Sequence, residues 1–97
     1  MSRYHFTSVH NHFEEAVFQR VESEAPSYPN LAGHPELLAD VACVALNALP
    51  PRYIRHDIDF NFYVSDQERA QMVAHVNAAV RAAFDFVGSR AAQRQSA

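Results

Sequence analysis

A small, mainly α-helical domain with one long β-strand, in the order α-α-β-α, is the fold class this sequence predicts. Three observations lead there. Apolar residues recur at helical spacing in three separate stretches. Residues 52–64 switch instead to strict alternation, the signature of a half-buried strand. Turn-forming glycine is scarce, with 2 in 97 residues, and the apolar share of 48% is ordinary for a globular chain. A chain of this length makes about one domain, so residues 1–97 are read as a single unit with its core at about 9–87.

The first helix is marked by Val9, Phe13, Val17 and Val21, with Ala16 on the same stripe. Asn11 and Glu14 have capping-box spacing, although Thr7 or Ser8 would serve as starts too. Pro26 and Pro29 end the pattern, and residues 25–34 are expected to form a loop. Pro35 suits the first turn of a second helix, with Glu36 behind it. Leu37, Leu38, Val41, Val44, Ala45, Leu46 and Leu49 make that helix apolar over more than half its circumference, so it is expected to be the most buried one. Cys43 sits among these residues and is expected to be a buried, inert thiol. Pro50-Pro51 stops the helix, because neither proline has an amide hydrogen to donate.

In the strand, Ile54, Ile58, Phe60, Phe62 and Val64 alternate with Arg55, Asp57, Asp59 and Asn61. A lone strand leaves its backbone groups unsatisfied and needs a partner. Two partners are open, the run Arg3–Thr7 or the same strand of a second subunit about a two-fold axis. Ser65, Asp66, Gln67 and Glu68 form a capping box for the third helix. Met72, Val73, Val76, Ala79, Val80, Ala83, Phe84 and Val87 are its stripe. Gly88 is the expected stop, and residues 88–97 the expected frayed tail.

Eight basic and 11 acidic residues leave a net charge of −3, and all eight basic residues are arginine. Such a chain lacks the long-range attraction of a general DNA binder. One cysteine cannot make an intramolecular disulfide and suits a reducing cytoplasm. No apolar stretch is long enough for a membrane span. Enzyme chemistry is not expected, since no glycine-rich phosphate loop, nucleophile elbow or Cys-His arrangement occurs. His10 and His12 diverge on a helix and are expected to be surface or cap residues, not metal ligands.

Residues 45–54 read Ala-Leu-Asn-Ala-Leu-Pro-Pro-Arg-Tyr-Ile. This string resembles the signature of the late competence protein ComFB family, and Asn11-His12-Phe13-Glu14 and Asp40-Val41 are similar to its flanking motifs. The resemblance covers about residues 9–87. It implies a non-enzymatic receptor for a cyclic dinucleotide, chiefly cyclic di-GMP and also cyclic di-AMP, that relays occupancy to an unknown protein effector. Many relatives carry a cysteine cluster suggestive of zinc. Ala32, His34 and Leu37 stand there instead, so neither metal nor other cofactor is expected.

The ligand class asks for arginine forks, a flat ring and a carboxylate. Arg52, Tyr53, Arg55, His56 and Asp57 supply these in one short run. Arg52 or Arg55 would hold phosphate, Tyr53 would stack on a base and Asp57 would accept from guanine. Tyr53, Arg55 and Asp57 would share one strand face, doubled across a homodimer axis. The same residues also suit a surface ion pair of Arg55 with Asp57 and a packing role for Tyr53. His56 is either a satisfied core histidine or the edge of the site. Asn47 is expected to bond the backbone of the turn or the ligand. The alternative to a receptor is a protein-interaction module with no small-molecule ligand.

Overall fold

The computed structural model describes residues 6–56 and 64–96. Asp57 and most of the expected strand, residues 57–63, lie outside the described residues, as do residues 3–5 of its first expected partner. What is described is mainly helical, with a small two-stranded antiparallel sheet. The order is β1 (His10–Asn11), α1 (Phe13–Glu24), a 3-10 turn (Ala25–Ser27), α2 (Pro29–Ala32), α3 (Pro35–Ala48), β2 (Tyr53–Ile54) and α4 (Asp66–Ser96).

Helix α1 begins later than its apolar pattern. The Asn11 carboxamide accepts from the Phe13 amide at 3.1 Å, which fixes the first turn there. Val9 falls before it and is exposed. Phe13, Val17 and Val21 bury the inner face of α1 as their spacing predicts. The expected loop at 25–34 is instead largely helical. Pro26 and Pro29 each occupy a first turn, where a missing amide hydrogen costs nothing, so they start short helical segments as well as ending α1.

Helix α3 starts on Pro35 and stops before Pro50-Pro51, as read from the sequence. It is not the most buried helix. Only Val41, Ala42 and Ala45 of α3 are buried, while Leu37, Leu38, Val44 and Leu46 are half-buried. Cys43 is exposed, contrary to expectation, in the shallow groove between α3 and the last turns of α4. The larger core share comes from α4, through Val76, Val80, Ala83, Phe84 and Val87.

Helix α4 is capped as predicted, the Ser65 hydroxyl accepting from the Glu68 amide at 3.1 Å. It packs on both α1 and α3. The α3–α4 pair is antiparallel. Cavities on this pair bring Pro50 and Arg52 beside Glu68 and His75 at one end, and Leu37 beside Ala91 and Arg94 at the other. The α1–α4 pair is parallel, from Phe13 beside Met72 to Glu24 beside Arg81. Glu24 joins the two helices, accepting from Arg20 at 2.5 Å and lying 3.8 Å from Arg81 Nε. Tyr28 closes the end of the core, its ring stacked on Phe84 at 4.2 Å between centroids.

Gly88 does not end α4, which continues to Ser96. Its neighbours on the same face, Val87 and Ala91, pack on the core, and that burial outweighs the roughly 1 kcal/mol helix penalty of glycine. A Cβ built at Gly88 would sit 3.8 Å from Leu31 Cδ1, an ordinary contact. Gly88→Ala is therefore expected to raise stability by about 0.5–1 kcal/mol, read as a higher denaturant midpoint at unchanged slope. A lower midpoint would show that the helix needs glycine there.

The short sheet resolves the open question for the described part of the strand. Tyr53–Ile54 pairs with His10–Asn11 of the same chain, His10 opposite Ile54 and Asn11 opposite Tyr53. The partner is thus neither the Arg3–Thr7 run nor, on this edge, a second subunit. His12 extends the connection, donating its amide to the Arg52 carbonyl at 2.7 Å. Two-residue strands hold little by themselves. They pin the chain leaving α3 against the chain entering α1.

Candidate ligand site

The sequence-predicted site residues that are described lie along one exposed segment. Pro50-Pro51 ends α3 in extended geometry, and β2 then ties Tyr53 and Ile54 to β1. Tyr53 leaves 69% of its surface to solvent, so its ring is not a packing anchor. Arg55 lies in a bend just past β2, so it does not continue the two-residue strand that holds Tyr53. Its guanidinium sits 2.7 Å from His56 Nε2, a geometry that makes the neutral ring nitrogen the acceptor. No carboxylate among the described residues neutralises Arg55. His56 is exposed and is not a core histidine. Asn47 is also exposed on α3, away from the apolar core, so burial does not oblige it to find a protein partner.

Of the described members of the set, Arg52 lines a cavity. That cavity, of about 260 Å³, lies where the end of α3 meets the start of α4. Phe13, Pro50, Pro51 and Met72 form its apolar part, and Arg52, Glu68, Gln71 and His75 bring polar groups. The last three were not recognised as site residues in the sequence because they sit 16 to 23 residues beyond Arg52 on a separate element. Only the antiparallel α3–α4 pairing brings them together. Phe13 and Met72 also line a second, larger groove of about 590 Å³ between α1 and the first half of α4. Its floor includes Ala16, Val73 and Val76, and its rim carries Arg20 and Arg69.

A different face is formed by α3 and the last turns of α4. Leu37, Cys43, Val44, Phe86 and Ala91 line a shallow cavity of about 270 Å³, with Asp40, Arg90 and Arg94 at its border. Phe86 is half exposed, and the Arg90 guanidinium lies over its ring at 5.4 Å.

The family model of the late competence development protein ComFB matches residues 10–91, most of the chain. The chain belongs to the ComFB family. The match spans β1 to the end of the α4 core stripe, and so includes the segment that holds Arg52, Tyr53, Arg55 and His56. Neither the curated proteins nor the solved structures contain a match to this ComFB chain.

At the three positions compared above with a cysteine cluster, the chain offers one metal-ligating side chain, His34. Ala32 and Leu37 carry no donor atom, and the His34 ring lies 3.7 Å from Glu36 alone. No group of three or more metal-ligating side chains gathers elsewhere among the described residues. No described helix is long and apolar enough to cross a membrane.

Proposed function

We propose that this ComFB protein is a non-enzymatic receptor for a cyclic dinucleotide, cyclic di-GMP or cyclic di-AMP, which passes ligand occupancy to a protein effector. The observation that carries the reading is an exposed aromatic ring and an arginine with no carboxylate partner among the described residues, on one pinned segment. Tyr53 offers a face for a purine, and Arg55 offers its fork to phosphate. Arg52 stands at the adjoining cavity, His56 holds the Arg55 fork, and Asn47 and Asp57 complete the contact set.

The receptor works as a homodimer, which doubles the contact set to meet a two-fold-symmetric ligand. Its dimer face is that of α3 and the end of α4. Asp40 on one side of this apolar patch and Arg90 and Arg94 on the other make it self-complementary in charge, as a two-fold contact requires.

Titration calorimetry with cyclic di-GMP, cyclic di-AMP and GMP tests the reading. One cyclic dinucleotide is expected to bind at micromolar affinity or tighter, with GMP inert. Arg55→Ala is expected to weaken that binding about 10- to 100-fold, as loss of a hydrogen bond to a charged group does. Wild-type affinity in a folded Arg55→Ala variant would remove Arg55 from the site. Absence of heat with all three ligands would favour a second reading, a protein-interaction module. The observation on its side is the apolar groove between α1 and α4, where Val73 lies exposed.

A further inference from the structure

The geometry points to the cavity between the α3–β2 connection and α4 as a guanine pocket, with Glu68 as the residue that tells guanine from adenine. The inference rests on the cyclic-dinucleotide reading and specifies where one base of that ligand sits.

The size of the cavity comes first. At about 260 Å³ it falls below the roughly 300–1,000 Å³ of sites that enclose a whole drug-sized ligand. It suits one ring system, with the remainder of a larger ligand lying outside. The segment leaving the cavity is Arg52, Tyr53, Ile54 and Arg55, where phosphates and a second base would find a guanidinium and an exposed ring.

The lining has the composition a base needs. Phe13, Met72 and the paired prolines give apolar surface for the faces of a flat ring. Polar groups come from two elements, Arg52 from the connection and Glu68, Gln71 and His75 from α4. Glu68 and Gln71 are three apart on α4, and Gln71 and His75 four apart, so the three stand on one helix face.

Chemistry then selects the base. The Watson–Crick edge of guanine presents two adjacent N–H donors, which a carboxylate accepts in parallel. Adenine presents one amino group beside an unprotonated ring nitrogen, and that nitrogen repels a carboxylate oxygen. The Glu68 carboxylate has no protein donor among the described residues, and its backbone amide is already bonded to Ser65. Arginine complements this by donating to the O6 and N7 acceptors of guanine, and Arg52 lines the same cavity.

The test is calorimetric titration of the full chain and of Glu68→Gln with cyclic di-GMP and cyclic di-AMP. Glu68 is exposed, so the variant keeps the fold, which circular dichroism verifies. The wild type is expected to prefer cyclic di-GMP by about 10-fold or more, and Glu68→Gln to lose about 10- to 100-fold for that ligand alone. Equal binding of cyclic di-GMP by wild type and variant would overturn the guanine pocket and leave the receptor reading standing. So would a wild-type preference for cyclic di-AMP. A wild type that binds neither ligand would overturn the receptor reading, and the pocket with it.

Discussion

Phe84→Ala is expected to lower the stability of the domain by about 3–5 kcal/mol, the usual cost of removing a fully buried phenylalanine ring. Phe84 exposes 0% of its surface and is among the largest fully buried side chains. It lies on the stripe where α4 meets the rest of the core. Its ring also stacks on Tyr28, at 5° between planes, so truncation strands a second aromatic at the start of α2. A domain of this size is commonly stable by only about 5–15 kcal/mol, so the variant would stand near the edge of folding. Phe84→Leu, which keeps most of the volume and loses the stacking, is expected to cost less. Urea denaturation of the three proteins checks this. A loss below about 1 kcal/mol for Phe84→Ala would mean that the α4 stripe does not hold the core together.

Two residues along, the same side chain has the opposite assignment. Phe86→Glu is expected to leave the folded subunit within about 0.5 kcal/mol of wild type, as exposed substitutions generally do. Dimer affinity is expected to fall about 30-fold or more, since aromatic residues at the centre of an interface commonly contribute about 2 kcal/mol or more. The new carboxylate would lie four residues before Arg90, an arrangement that supports a helix, so any loss belongs to assembly rather than to α4 itself. Light scattering coupled to size exclusion separates these outcomes. Wild type is expected as a dimer and Phe86→Glu as a monomer. A monomeric wild type would retire the proposed dimer face, and a dimeric Phe86→Glu would move the interface elsewhere.

The helices were legible where a residue acts locally. Ser65 announces α4 because its hydroxyl bonds an amide three residues on, and Pro35 and Pro50 act through their own rings. Gly88 misled because a local preference of about 1 kcal/mol was overruled by packing of the residues around it. Cys43 and Val9 misled for a related reason: an apolar residue in an apolar run is buried only if another element covers it. The partner of β2 was illegible, since two residues such as His10–Asn11 carry no alternation to recognise. Of the candidate site, the contiguous run from Arg52 to His56 could be read directly. Glu68, Gln71 and His75 could not, because their approach to Arg52 is a property of the helix pair and not of the run.

Helix α4 rises about 1.5 Å per residue, which sets Glu68 and Phe86 about 27 Å apart on a single uninterrupted rod. The residue proposed to read the ligand and the residue proposed to join two subunits thus share one stiff element, with the core gripping it between them. Thermodynamic reciprocity then constrains the signal. Whatever factor the nucleotide applies to association, association must apply to the nucleotide's affinity. If the two are coupled, the protein's own concentration becomes an input of the receptor, and apparent affinity has to be compared across dilutions before it describes the site.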